Sequence, residues 1–160
     1  MPSSLMRKLN AMREGAPKPA ARPSRPLIVR THAEAADARL YSLPPAALRR
    51  LGYTGAAFHP ERALFLDTET TGLAGAGTVA FLVGVGFVSN GVLTVRQYLM
   101  PDYAAEDELI DRLAELFTKF DTIVHFNGCT FDMPLLKGRF ILRRRESDWK
   151  ELVQLDLLKA

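Results

Sequence analysis

The sequence predicts an α/β layered domain: a five-stranded mixed sheet, three strands as an antiparallel meander and two parallel, flanked by helices. Three observations carry this. An apolar run delivers two acidic residues one position apart, in Leu64-Phe65-Leu66-Asp67-Thr68-Glu69. Ser89-Asn90-Gly91 joins two β-type segments, and Asn-Gly is the strongest short hairpin signal. Beyond residue 104 the order becomes helix, strand, helix, strand, where crossover units add parallel strands to the meander.

Taken in order, residues 1–26 hold five prolines among Ala, Ser and Arg and read as a disordered basic leader. It is either a solubilising tail or a contact for nucleic acid or acidic partners. Residues 27–62 read as a transitional segment. Leu27-Ile28-Val29 is a short extended piece. Pro44 to Gly52 is one short helix, with proline near its start and glycine after its end. The domain proper runs over 63–160.

Ala63–Asp67 is the first strand and Leu73 to Gly77 a Gly/Ala loop. Thr78–Val88 is the second strand, where Gly84 and Gly86 mark a bulge or a close backbone approach. Val92–Leu99 alternates and returns antiparallel as the third. Ala104–Phe120 is a helix with Leu109, Ile110, Leu113, Leu116 and Phe117 on one stripe. Glu106, Asp107 and Glu108 fall in its first turns, where the dipole favours negative charge, and are assigned to helix stability. Thr122–Phe126 is the fourth strand, Thr130 to about Arg144 the second helix, and Val153–Leu155 the fifth strand. Arg143-Arg144-Arg145 is either a solvated helix end or a phosphate-contacting patch.

Composition narrows the class. A 160-residue chain has room for one domain with a real core. No apolar run approaches the ~18 residues of a membrane span. Cys129 is the sole cysteine, which excludes an internal disulfide and a cysteine zinc site and makes a reducing cytoplasm the default expectation. The net charge of +3 is uneven: residues 1–62 carry 11 Lys+Arg against 4 Asp+Glu, and the remainder 10 against 14. The folded part is therefore mildly acidic, which argues against a broad basic nucleic-acid face on the core.

Alternate residues of a strand share a side, so Asp67 and Glu69 face the same way. Such a pair is tolerable when solvated or when a cation lies between. A hard divalent ion, Mg²⁺ or Mn²⁺, takes oxygen ligands of this kind. The plain alternative is a solvated turn. A second acidic motif, Asn127-Gly128-Cys129-Thr130-Phe131-Asp132, follows the fourth strand and opens the second helix. Open α/β sheets bind ligands at the carboxyl ends of their strands. With strands one and four as parallel neighbours, Asp67, Glu69 and Asp132 meet at one edge. The competing role for Asp132 is helix capping. Asn127 either holds the loop or binds a metal-bound water. His125 reads as a half-buried strand residue and Cys129 as inert packing. No Gly-x-x-x-x-Gly-Lys-Ser/Thr phosphate loop is present, which weakens a nucleotide-binding reading.

Phe-Leu-Asp67-Thr-Glu69-Thr-Thr-Gly72-Leu resembles the first motif of the DnaQ-like exonucleases of the DEDD class, and Asn127-x4-Asp132 their second. The fuller strings, including His-Phe-Asn-Gly-x-x-Phe-Asp-x-Pro-Leu-Leu, are most similar to YprB-like ribonuclease-H-like domains, over roughly residues 40–160. The resemblance implies a ribonuclease-H-like fold and two-metal, Mg²⁺- or Mn²⁺-dependent hydrolysis of phosphodiester bonds from a 3′ end. It implies that Asp67 bridges two ions, Glu69 holds the water-activating one and Asp132 serves the second. Thr68 and Thr70 would contact the terminal nucleotide, and the partner would be the single-stranded 3′ end of DNA or RNA. Arg96 and Arg143–Arg145 are candidates to neutralise phosphates. The class also needs a fourth carboxylate on a helix after the fifth strand, and the sequence ends at Leu158-Lys159-Ala160 without one. The expectation is a domain truncated at its C-terminus, with its rate reduced by several powers of ten. The alternative is a non-catalytic nucleic-acid-binding or interaction module that retains the fold.

Overall fold

The computed structural model describes residues 25–55, 58–72, 77–146 and 152–159. The leader up to residue 24 and the Gly/Ala loop at 73–76 lie outside the described residues. Six strands form one mixed sheet: β1 (Ile28–Ala35), β2 (Ala63–Thr70), β3 (Ala80–Ser89), β4 (Val92–Leu99), β5 (Thr122–His125) and β6 (Val153–Asp156). Their spatial order is β1-β4-β3-β2-β5-β6. Among the described residues three α-helices accompany them: α1 (Pro45–Arg50), α2 (Glu106–Phe117) and α3 (Asp132–Leu142).

The meander and crossover order follows the sequence pattern. β2, β3 and β4 pair antiparallel, with Leu64 opposite Phe87 and Val85 opposite Arg96. β2 and β5 pair parallel, with Leu64 opposite Ile123, and β5 and β6 do the same, with Val124 opposite Leu155. The carboxyl ends of β2 and β5 therefore lie at the same edge.

The sheet has six strands rather than five. Residues Ile28–Ala35 form a full strand paired antiparallel with β4, from Ile28 opposite Leu99 to Ala35 opposite Val92. All eight of its residues are exposed. A strand that buries neither face carries no period-two hydrophobic signal; backbone pairing to β4 holds it at the sheet edge.

The two faces of β2 are covered differently. Leu64 and Leu66 join Val83 and Val85 of β3, Leu109 and Leu113 of α2, and Met133, Leu136 and Phe140 of α3 in the main core. Ala63 and Phe65 face the other way, into a smaller cluster with Val124, Leu155 and the segment after α1 that includes Leu51, Tyr53 and Phe58. Gly84 and Gly86 mark neither a bulge nor a close approach: a Cβ at Gly86 would make ordinary contact with Cβ of Phe65 at 3.4 Å, and one at Gly84 would lie 3.9 Å from the Asp67 carbonyl oxygen. The register shift of this hairpin falls elsewhere, between Glu69 and Thr70.

α2 is preceded by a 3₁₀ turn over Tyr103–Ala105, capped by Asp102, whose Oδ1 accepts from the Ala104 N–H at 2.9 Å. Glu106 then departs from its expected part. It is 2% exposed and pairs with Arg139 and Arg143 of the α3 end, so it ties two helices together rather than only serving the dipole of one. Among the described residues no helix is long and apolar enough to cross a membrane.

Candidate active site

β2 runs three residues further than the apolar pattern alone suggests, so Asp67 and Glu69 are strand residues. Both are exposed, while Thr68 and Thr70 between and after them are half-buried. Alternation puts Thr68 on the Leu64/Leu66 face, which is the face that α3 covers.

α3 opens at Asp132, in its first turn, where a carboxylate is favoured by the helix dipole. Asp132 is 7% exposed. It does not cap: the N-cap position is Phe131, and no side chain caps this helix. Instead Asp132 Oδ1 accepts a hydrogen bond from the Thr68 hydroxyl. The Thr70 hydroxyl donates to the Gly72 carbonyl at 2.8 Å, and the Val79 N–H donates to Thr71 Oγ1 at 3.2 Å, closing the turn after β2.

These elements bound a cavity of about 600 Å³. Asp67, Thr68, Thr70 and Asp132 line its polar end, and Phe131, Pro134, Leu135 and Leu142 supply apolar wall along α3. Arg139 also lines it. Glu69 is not among the lining residues. The three predicted carboxylates do not form a tight cluster: among the described residues, the only set of three metal-ligating side chains with ligand atoms within 4.8 Å of one another is His125, Cys129 and Asp156.

That set serves the loop behind Asp132. Asp156, at the end of β6, is 2% exposed. Its Oδ1 accepts from the backbone N–H of Asn127 at 2.7 Å and of Leu158 at 3.1 Å, and its Oδ2 from Cys129 at 3.3 Å. Burial pushes the Asp156 carboxyl up, but these three donors, with His125 nearby, outweigh it and hold the group below the ordinary carboxylate range. His125 is fully buried rather than half-buried; its Nδ1 accepts from Gly128 N–H at 3.1 Å. A Cβ at Gly128 would lie 2.5 Å from the His125 ring, so only glycine fits there. Cys129 Sγ lies 3.8 Å from His125 Nε2 and donates to Gln154 Oε1 at 3.5 Å. Burial pushes the Cys129 thiol up, consistent with an inert cysteine. With both Asp156 oxygens and His125 Nδ1 committed to backbone N–H groups, the cluster is a brace for residues 127–129 and leaves few lone pairs for an ion. Asn127 sits in the left-handed region at φ 57°, a conformation asparagine tolerates, and its own N–H is part of the brace.

Of the candidate phosphate-binding arginines, Arg96, Arg143 and Arg145 are engaged within the protein, while Arg144 is exposed. Arg143 pairs with Glu106 and Asp107, and Arg145 with Asp111. Arg96 lies 5.6 Å from the Phe87 ring centroid and donates to Tyr98 Oη at 3.3 Å.

The family model described as the RNase_H superfamily matches residues 64–160, which contain every element of this site. The chain belongs to the RNase_H superfamily. Its sheet accords with that membership. A curated relative, the uncharacterised protein YprB of Bacillus subtilis (strain 168), is 36% identical over 104 residues, covering 63% of this chain and 25% of that protein. The chain thus spans about a quarter of the length of the curated relative it matches. Among solved structures, E. coli exonuclease I in complex with single-stranded DNA is similar at TM-score 0.48 and 20% identity, over 60% of this chain and 28% of that one. The same enzyme with a dT13 oligonucleotide gives TM-score 0.47 and 19% identity, over 59% and 27%.

One residue that lines this cavity, Arg139, was not singled out from the sequence. It was hidden inside a helix among other basic residues. Asp156 lies in Leu155-Asp156-Leu157-Leu158, which resembles the fifth-strand segment of the class, and its carboxylate is taken up by backbone N–H groups of the loop and the chain after β6.

Proposed function

We propose that this domain is a divalent-metal-dependent nuclease that removes nucleotides from the 3′ end of single-stranded DNA or RNA. The observation that carries the reading is that Asp67, from β2, and Asp132, from the first turn of α3, line one cavity although they are far apart in sequence. The motif resemblance and the superfamily membership support it.

The donor set fits the ion. Asp67, Glu69 and Asp132 offer carboxylate oxygens only, which suits Mg²⁺ or Mn²⁺ and not a soft metal. Asp67, Glu69 and Asp132 would hold such ions, and the chemistry supplied there would be charge stabilisation of the incoming and departing oxygens of an in-line displacement at phosphorus. Asp67 and Glu69 supply the exposed strand-end donors, and Asp132 the half of the site carried by α3. Thr68 keeps Asp132 oriented. Thr70 and the apolar wall of Phe131 and Leu135 shape the space for a terminal nucleotide.

The test is cleavage of 5′-labelled single-stranded DNA and RNA in Mn²⁺ and in Mg²⁺, with Asp67→Ala beside the parent protein. The expected result is a ladder that shortens from the 3′ end and is absent with Asp67→Ala. Equal shortening by both proteins would overturn the assignment. Salt-sensitive binding of single strands by both, with no cleavage, would favour a non-catalytic binding module instead.

A further inference from the structure

Arg139 stands out because it belongs to two assemblies at once. It lines the cavity that Asp67 and Asp132 share. It also forms a forked pair with buried Glu106: Nε donates to Oε1 at 2.5 Å and Nη2 to Oε2 at 2.6 Å. Nη1 takes part in neither bond. The Arg139 side chain is 13% exposed, so the guanidinium is fixed on one edge rather than waving in solvent.

Arg139 comes seven residues after Asp132 on α3, two helical turns on, and so on the same side of the helix about 10 Å from it. The cavity therefore presents carboxylates at the amino end of α3 and a guanidinium, held on one edge by Glu106, toward its carboxyl end. A lone metal ion needs only the first. An extended polyanion with its reacting end at the carboxylates needs both. We propose that Arg139 binds a backbone phosphate of the substrate strand upstream of the scissile one, and that Glu106 is the positioning residue that aims it. This rests on the nuclease reading above and adds to it a strand direction along α3. Arginine is suited to this double role, because its planar fork holds Glu106 along one edge while another nitrogen is left for a phosphate oxygen.

The proposal is tested by equilibrium binding of a fluorescein-labelled oligothymidylate in EDTA, so that no cleavage intervenes, from about 50 to 300 mM KCl. The parent protein is compared with Arg139→Gln, in which Arg143 still pairs with Glu106 so that no buried carboxylate is stranded; a thermal melt checks its fold. The expected result is several-fold weaker binding and a log–log salt slope smaller by about 0.7, the value for one single-strand phosphate contact. An unchanged slope in a folded variant overturns the role of Arg139 and leaves the nuclease reading standing. No binding by the parent protein in EDTA likewise overturns the role of Arg139, and the nuclease reading is decided separately by the cleavage test above. A second measurement needs no variant. Oligonucleotides carrying a single neutral methylphosphonate are scanned along the strand with the parent protein. Affinity loss confined to a linkage upstream of the terminal one supports the proposal, and equal affinity for all linkages overturns it.

Discussion

The Thr68 hydroxyl is committed to Asp132, and that one bond joins β2 to the first turn of α3. Replacing Thr68 with the near-isosteric Val removes a donor to a buried carboxylate, which costs about 1 to 3 kcal/mol. Urea unfolding of Thr68→Val should show a lower midpoint with an unchanged m-value. An unchanged midpoint would mean that the bond contributes nothing. Asp67, Glu69 and Asp132 were legible as candidates because each follows an apolar run at a predicted strand end or helix start. The Thr68–Asp132 bond was not, because it depends on which face α3 covers. The same alternation that puts Asp67 and Glu69 on one side puts Thr68 on the other, under α3. This is also why the three carboxylates share an edge without clustering within 4.8 Å. Asn127 and Gly128 read as loop residues, but their constraint comes from Asp156 and His125 through hydrogen bonds that no local pattern reveals.

At the scale of elements, the joint between α2 and α3 is electrostatic as well as apolar. Leu109, Leu113, Leu136 and Phe140 pack in the main core, and Glu106 closes the end of the interface with Arg139 and Arg143. Burial pushes the Glu106 carboxyl up, but the hydrogen bonds and charge of the two arginines outweigh it and hold the group below the ordinary range. A depressed pKa contributes stability above the unfolded value, and that contribution is lost as pH falls through the folded one. Glu106→Ala should therefore destabilise the domain at pH 7 by about 3 kcal/mol. That is the lower end for a broken buried pair, because Arg143 keeps partial access to water. The difference between the two proteins should shrink as pH falls below the ordinary carboxylate range and through the depressed pKa of the folded-state Glu106. Denaturant melts across pH check both parts, and a gap that stays constant into acid would contradict the ion-pair account. The helices themselves were legible from apolar spacing. Their charged partners were not, since Glu106 in a first turn looks like any dipole-compensating residue until α3 is placed. β1 escaped for the opposite reason: its position is set by backbone pairing to β4, and its side chains carry no burial pattern.

For the whole molecule, the sheet order brings the ends of β2 and β5 to one edge, and α3 starts there after the braced loop. Most of the fold was readable because local patterns agree with it: the Asn-Gly hairpin, the helical stripe and the short apolar strands point to one topology. The mildly acidic character of residues 63–160 suits the proposed cation site and argues against a broad basic nucleic-acid face. The central claim is that Asp67, Glu69 and Asp132 supply the carboxylate donors of a divalent-ion site, with Asp67 shared between the two halves. It is tested most directly by calorimetric titration of Mn²⁺ into the protein and into Asp67→Ala. The account predicts saturable binding by the parent chain that Asp67→Ala abolishes; binding of equal affinity and stoichiometry in the two proteins would contradict it.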